Sequence, residues 1–185
     1  MILETIKNRR AVYPAQYNTE EISKEEIQTI LAAANWAPTH RRTEPWRFKV
    51  FHSKEAKTRL SEFLAATYKE RAENFSETKF KKYQENPLKA ACVIAICYTK
   101  DPNGAIPEWE EIAATAMAVQ NMWLAASEMN IGAYWGTPNI AKYLPTIIEM
   151  EEGEHCLGFF YMGKFDQTLP EGFRNTSVDE KTVWM

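Results

Sequence analysis

Seven consecutive residues, Ala91 to Cys97, restrict the possible folds of this chain more than any other segment, because all seven are apolar. Several of them are β-branched, and an unbroken apolar run of this length is typical of a strand buried on both faces. We therefore predict a central strand of a sheet here. Residues 156–163 predict a second buried strand, and residues 48–51 predict a further one.

Apolar residues at helical spacing precede and follow these runs. Residues 2–9 predict a short helix. Ser23 and Glu26 have the spacing of a capping box, and the helix that follows them is expected to end before Pro38. Ser53 is the predicted N-cap of another helix.

A long helix is predicted from about Pro107 to Gly132, which is the expected C-terminal stop. Its interior is rich in alanine, and small side chains let other helices approach closely, so we expect it to be the core helix. Residues 140–150 predict a further short helix. Residues 69–89 are dense in charge and predict a solvated helix pair, with a mobile cover over a site as the alternative.

Composition and charge exclude several classes of protein. The 185 residues predict a single domain over 1–185, and a net charge of −3 argues against a nucleic-acid binder. Residues 1–7 lack a signal-peptide pattern, and the most apolar stretch, residues 112–129, contains polar side chains that favour a buried helix over a membrane span. Three cysteines without CxxC spacing predict buried thiols and a reducing cytoplasm.

The sequence lacks the common motifs of side-chain catalysis. Its three histidines have no metal-ligand spacing, so no metal site is predicted. Neither a glycine-rich phosphate-binding motif nor a nucleophile motif is present. If the protein is an enzyme, we therefore expect a bound organic cofactor, and not a catalytic side chain, to carry the reaction.

The connection between Pro38 and Pro45 is unusually cationic. It contains His40, Arg41 and Arg42, and an aromatic residue, Trp46, follows the second proline. A plain linker does not need this combination, whereas a binding site for an anionic, aromatic ligand does. We therefore predict that this connection belongs to a ligand site.

Four motifs, taken in their order, resemble those of the FMN-dependent nitroreductase family, and most closely its short branch of NAD(P)H nitroreductases. The family opens with Arg-Arg-Ser and then carries Ala-Pro-Ser-x-x-Asn-x-Gln-Pro-Trp-x-Phe. This chain has Arg-Arg-Ala at residues 9–11 and Ala-Pro-Thr-His-Arg-Arg-Thr-Glu-Pro-Trp-Arg-Phe at residues 37–48. A Gly-x-x-Trp strand at 132–135 and a Gly-Phe-x-x-x-Gly strand at 158–163 complete the pattern. The resemblance covers residues 3 to about 165.

The resemblance implies an α+β fold, a three-layer α/β/α sandwich with a mostly antiparallel central sheet in an intertwined homodimer. It implies FMN as the cofactor, bound at the subunit interface, with cations at the phosphate and the Ala-Pro loop of one subunit completing the site of the other. The implied cofactor-binding residues are Arg9, Arg10, Ala11, Pro38, Thr39, His40, Arg42, Trp135, Gly136, Thr137, Gly163, Lys164 and Arg174.

The implied activity is hydride transfer from NADH or NADPH, through the flavin, to an electron-poor acceptor such as a nitroaromatic or a quinone. Two alternatives stay open at this point. The first is a flavoprotein of the same fold with other chemistry, either reductive dehalogenation or flavin fragmentation. The second is a non-catalytic module that binds a ligand or nucleic acid through Arg41 and Arg42.

The chain also departs from the family pattern. Arg42 replaces the usual asparagine, Glu44 the usual glutamine, and Ala11 the usual serine, while Trp36 stands where the short branch often has arginine. We expect these substitutions to change the set of hydrogen bonds to the flavin. The substrate pocket and the choice of acceptor are not predicted.

Overall fold

The computed structural model describes residues 2–185 and contains a four-stranded antiparallel sheet. Its strands are β1 (Trp46–Phe51), β2 (Cys92–Thr99), β3 (Ile131–Gly136) and β4 (Glu154–Lys164), in the order β1-β2-β4-β3. β2 is a central strand and is buried over almost its whole length. The prediction from the Ala91–Cys97 run is therefore confirmed.

Helices cover both faces of the sheet. They are α1 (Ile2–Asn8), α2 (Lys24–Ala34), α3 (Lys54–Arg71), α4 (Glu77–Lys89) and α5 (Glu108–Glu128), with 3₁₀ segments at Pro14–Gln16, His40–Arg42, Asn139–Thr146 and Asp179–Lys181. α2 and α5 pack on one face, whereas α3 and the segment Asn139–Thr146 pack on the other, with α4 alongside α3. The predicted three-layer α+β architecture is thus confirmed.

The helix starts follow the local signals in the sequence. Ser23 and Glu26 form the predicted capping box, in which the Ser23 hydroxyl accepts from the Glu26 amide at 3.1 Å and Glu26 accepts from the Ser23 amide at 2.8 Å. The Ser53 hydroxyl accepts from the Ala56 amide at 3.1 Å and so caps α3. In both caps, the free amides of the helix start are bonded by side chains of the same helix end, without tertiary contacts. The sequence alone therefore predicts these caps.

Two predicted helix boundaries are wrong. α5 ends at Glu128, and Asn130, with φ of 54°, takes the left-handed conformation that was expected at Gly132. Gly132 lies inside β3, where a Cβ atom would stand 2.8 Å from Cβ of Val12. That glycine therefore permits a close approach of two segments. Residues 140–150 do not form an α-helix but contribute to the 3₁₀ segment Asn139–Thr146.

The charged segment 69–89 contains the end of α3 and the whole of α4, so the predicted helix pair is confirmed. Its aromatic residues pack at tilted angles: the ring centres of Tyr83 and the preceding Tyr68 are 5.0 Å apart, and those of Phe75 and Phe80 are 5.7 Å apart. The alternative of a mobile cover is not tested by this packing. Among the helices of residues 2–185, none combines the length and apolar character that a bilayer crossing requires.

Candidate functional site

A cleft of about 390 Å³ opens beside the N-terminal arginines. Its lining includes Thr5, Arg9, Arg10, Val12, Ile131 and Phe165. α1, the start of β3 and the segment that follows β4 contribute to its walls. We call this space, with its N-terminal arginines and the nearby Arg174, the arginine cleft.

Arg9 is the best-placed cation of the arginine cleft. Its guanidinium lies 4.5 Å from the ring centre of Trp123, a residue of α5. Burial is the main cause that lowers the pKa of Arg9, followed by the charges of Arg10 and Arg174. Three arginines therefore share one region, and an anion bound there would relieve their mutual repulsion.

Arg10 fastens the C-terminal tail. Its Nε donates to the carbonyl of Pro170 at 3.1 Å, and its Nη1 donates to the carbonyls of Lys7 at 2.8 Å and Arg9 at 2.9 Å. A Cβ atom on Gly172 would lie 2.1 Å from Nη2 of Arg10. Arg10 thus already has structural partners, while Ala11 beside it is half-buried.

Gly163 and Lys164 have structural roles in this chain. A Cβ atom on Gly163 would lie 2.3 Å from the ring of Tyr17, whose hydroxyl donates to the carbonyl of Val12 at 2.8 Å. Nζ of Lys164 donates to Oε1 of Glu26 at 2.6 Å, so the lysine reinforces the capping box of α2. Their predicted part in cofactor binding stays a prediction.

The connection between Pro38 and Pro45 forms a tight loop with an uncommon backbone. Arg41, Arg42 and Glu44 have φ values of 48°, 57° and 46°, in the left-handed region that non-glycine residues rarely adopt. Each such residue costs on the order of 1 kcal/mol. The side chains of Pro38, His40, Arg41 and Arg42 are exposed, so the cations of this loop are available to a ligand.

Side chains hold this loop against the N-terminal end of α5. Oγ1 of Thr39 lies 2.9 Å from Oγ1 of Thr43, which donates to Oε2 of Glu111 at 2.8 Å. Nδ1 of His40 lies 2.5 Å from Oε2 of Glu110. Glu111 is 1% exposed, and its Oε1 has no hydrogen-bond partner in the described residues. Hydrogen bonds to Glu110 and Glu111 of α5 therefore fix the strained backbone of the loop.

The loop and the arginine cleft contact opposite ends of α5. The loop bonds to Glu111, whereas Arg9 lies over Trp123, and at roughly 1.5 Å per residue these two positions are about 18 Å apart along the helix. One chain therefore does not bring Thr39, His40 and Arg42 to the cleft that contains Arg9.

Residues 135–137 lie at the end of β3. Trp135 is half-buried on the α2/α5 side of the sheet, and its Nε1 is a buried donor without a partner in residues 2–185. Gly136 and Thr137 line a second cleft of about 400 Å³ on the other side, together with Tyr83, Tyr134 and Tyr161. The backbone here is closely packed, since a Cβ atom on Gly158 would lie 2.2 Å from the Gly136 carbonyl oxygen.

Sequence reasoning missed Glu111 and Trp123 as parts of the site. Both lie on α5, where one supports the loop and the other supports Arg9. Neither forms a motif with its sequence neighbours, so no local signal identifies them. Within the part of the chain that the structure describes, no cluster of three or more His, Cys, Asp or Glu side chains is arranged to hold a metal ion.

The family model named Nitroreductase family matches residues 6–164, and the chain belongs to this family. The Bacillus subtilis protein named "Putative NAD(P)H nitroreductase YfhC" is 25% identical over 187 residues, which cover all of this chain and 94% of that protein. The Escherichia coli K12 protein named "Putative NAD(P)H nitroreductase YdjA" is 27% identical over 164 residues, covering 87% of this chain and 86% of that protein.

Solved structures agree with the fold. A nitroreductase-like family protein from Bacillus cereus superposes with a TM-score of 0.81 at 25% identity and covers all of this chain and 96% of that one. A Desulfovibrio desulfuricans protein, solved as "a putative nitroreductase in complex with FMN", has a TM-score of 0.75 at 24% identity and covers all of this chain and 96% of that one. This second likeness shows the fold.

Proposed function

We propose that this chain is a single FMN-binding domain over residues 1–185 and forms a homodimeric oxidoreductase. It would use NADH or NADPH to reduce an electron-poor acceptor such as a nitroaromatic or a quinone. The observation that carries the proposal is the arginine cleft, where Arg9, Arg10 and Arg174 share one region of a nitroreductase-family fold. The names of the relatives and the FMN complex of the Desulfovibrio neighbour support the same cofactor and co-substrate.

The residues present fit a flavin mononucleotide. A phosphate needs cations, and an arginine guanidinium offers a planar pair of donors that matches its oxygens. Arg9 is the least committed arginine of the cleft, because its guanidinium packs on an aromatic face while Arg10 is bonded to three carbonyls. The unpartnered Nε1 of Trp135 is a further buried donor that a polar ligand atom would satisfy.

FMN, when bound, supplies the hydride-transfer chemistry. The contribution of this chain is to bind, to orient and to exclude water. The arginines of the cleft would hold the phosphate, and the closely packed backbone of residues 135–137 would offer amide groups to the ring. An arginine of the N-terminal pair would stabilise negative charge on a bound flavin. No side chain is required as a nucleophile, and protons can come from water.

A second copy of the chain would complete each site. Because α5 separates the 39–44 loop from the cleft of its own chain, Thr39, His40 and Arg42 would serve the cleft of another copy. Large apolar side chains are exposed on α1, just after α2 and on α5: Leu3 is 71% exposed, Trp36 86% and Trp109 69%. Their burial between two copies would supply the apolar area that a stable dimer needs.

The absorption spectrum of the purified protein tests the proposal. We expect the bands of bound flavin at about one flavin per chain, and bleaching of these bands by NADH or NADPH in the absence of oxygen. Protein that is colourless and does not take up added FMN would refute the proposal. A bound flavin that neither nicotinamide bleaches would favour a flavoprotein with other chemistry. We place the protein in the cytoplasm as part of the same proposal.

A further inference from the structure

Two cysteines face each other across the centre of the sheet. Cys97 in β2 and Cys156 in β4 are direct register partners in an antiparallel pair. The Cα atoms of such partners are about 4.5–5.5 Å apart, and disulfides join Cα atoms separated by about 4.4–6.8 Å. The strand pairing therefore holds these two sulfur atoms within bonding reach of one another.

Both thiols point to the same side of the sheet. Cys97 belongs to the buried cluster under α3, and Cys156 packs against the same cluster. All three cysteines are free thiols, and Cys97 is completely buried while Cys156 is half-buried. Solvent species therefore reach Cys156 first, and Cys97 lies behind it.

A bulge in the strand pairing lies at this pair. The register of β2 and β4 shifts between Ile96 and Cys97, because Ile96 pairs with Gly158 and Cys97 with Cys156. Leu157 is the extra residue on β4. A bulge interrupts the ladder and increases the local twist, so Cys97 and Cys156 lie where the strand pairing is irregular. The Cys156 sulfur lies 3.6 Å from the carbonyl oxygen of Gly158.

A buried carboxylate lies beside the two thiols. The side chain of Glu154 is 0% exposed, and its Oε2 accepts from Nζ of Lys49 at 3.0 Å and from the Glu151 amide at 2.9 Å. Its Oε1 has no hydrogen-bond partner among residues 2–185. The contact with the Cys156 thiol, burial and the charge of Glu154 each raise the pKa of Cys97. Cys97 thus keeps its proton at neutral pH and has a proton acceptor nearby.

We propose that Cys97 and Cys156 form a dithiol–disulfide redox site that reduces hydroperoxides, with Cys156 as the attacking thiol, Cys97 as the resolving thiol and Glu154 as the proton acceptor. This site is independent of the arginine cleft and of the proposed flavin. Cys92 takes no part in it, because it lies on the opposite face of β2, in the core under α2 and α5.

The reaction balances with hydrogen peroxide as the oxidant. The Cys156 thiol gives up its proton and its sulfur attacks one peroxide oxygen, so that an S–O bond forms, the O–O bond breaks and the leaving hydroxide takes up that proton to become water. The Cys97 sulfur then attacks the sulfenic sulfur of Cys156 and gives its proton to Glu154. An S–S bond forms, the S–O bond breaks, and the leaving hydroxide takes the proton from Glu154 and departs as a second water. The two thiols lose two electrons, and one peroxide becomes two molecules of water.

Peroxide oxidation followed by peptide mapping tests the site. The purified protein is treated with hydrogen peroxide, the remaining thiols are alkylated under denaturing conditions, and the digest is analysed without reduction. We expect loss of two of the three thiols and a peptide in which Cys97 is linked to Cys156. In Cys97→Ala, the reaction should stop at a sulfenic acid on Cys156, which dimedone traps.

The matched control is Cys92→Ala, which removes a buried thiol from the same strand and should form the 97–156 link at the wild-type rate. Glu154→Gln should slow closure of the disulfide by about tenfold or more, because it removes the proton acceptor. Over-oxidation of Cys156 with Cys97 still free would overturn the proposal. So would a link between two chains, a link that uses Cys92, or retention of all three thiols. Since the decisive map uses the wild-type protein, it does not depend on the folding of any variant.

Discussion

Oγ1 of Thr43 donates a 2.8 Å hydrogen bond to Oε2 of Glu111, a carboxylate that is almost completely buried in the first turns of α5. This bond joins the exposed cationic loop to the interior of the protein. A buried carboxylate that loses its hydrogen-bond donor keeps the cost of its desolvation and loses the compensation. The stability of the chain and the position of the loop therefore depend on the same contact.

Thr43→Val removes this donor without changing the shape of the side chain. We expect the free energy of unfolding to fall by about 2 kcal/mol, the cost of an unsatisfied buried polar group. Urea denaturation measures the change. Thr29→Val is the matched control, because Thr29 is exposed on α2 and its hydroxyl donates only to the carbonyl of Glu25 in the same helix. Equal effects of the two changes would contradict the interpretation.

The left-handed conformation of Arg41 can be tested with two substitutions at that one position. Both Arg41→Gly and Arg41→Ala remove the side chain, but only glycine adopts φ of 48° without steric cost. We expect the glycine variant to be more stable than the alanine variant by about 1 kcal/mol. Thermal denaturation of both proteins measures the difference. An alanine variant as stable as the glycine variant would show that the loop relaxes in solution.

The ion pair of Lys164 and Glu26 predicts a pH dependence of stability. The hydrogen bond from Lys164 is the main cause that lowers the pKa of Glu26 below its ordinary value of 4.5, followed by the Ser23 amide. Because the folded-state pKa is the lower one, this contribution is present above about pH 4.5 and is lost as the pH falls through the folded-state pKa. Lys164→Met should therefore show a shallower loss of unfolding free energy below pH 4.5 than the wild type.

The control for this experiment is Lys24→Met, which removes an exposed lysine from the first turn of the same helix. Lys24→Met should leave the fall of the unfolding free energy below pH 4.5 unchanged. Chemical denaturation at a series of pH values gives both profiles. If the unfolding free energy of Lys164→Met falls as steeply below pH 4.5 as that of the wild type, the ion pair does not stabilise the protein in solution.

Arg9→Met tests the arginine cleft as the phosphate site of the proposed flavin. Loss of a charged hydrogen-bond donor is worth about 2 kcal/mol, so we expect the dissociation constant of FMN to rise by about tenfold to a hundredfold. Fluorescence titration of the apoprotein with FMN measures it. Arg47→Met removes an arginine from β1, where it pairs with Glu151 at 3.4 Å, and should leave FMN binding unchanged. Equal dissociation constants of FMN for the two variants would contradict a phosphate site in the arginine cleft.

The parts of the fold that the sequence predicted correctly depend on short-range rules. The apolar run of β2 and the caps at Ser23 and Ser53 can be read without knowing any distant contact. Gly132 was misassigned because a glycine after a helix can either end the helix or permit the close approach of another segment. Here, the close approach of Val12 requires it, and Asn130 supplies the turn.

The candidate site was predictable only in part, for the same reason. Arg9 was found because it belongs to a motif, and the structure places it beside a cleft. Lys164 also belongs to a motif, yet its amino group is engaged by Glu26, more than a hundred residues away in sequence. Trp123 and Glu111 carry no motif at all, and only the packing of α5 gives them their roles.

The separation of the loop and the arginine cleft along α5 has a consequence for inheritance. In the proposed dimer, each site takes its loop from one chain and its cleft from the other. Consider two defective alleles, one with a damaged loop and one with a damaged cleft. A mixed dimer of their products has one site that carries both lesions and one site that carries neither. The gene is therefore expected to show complementation between alleles.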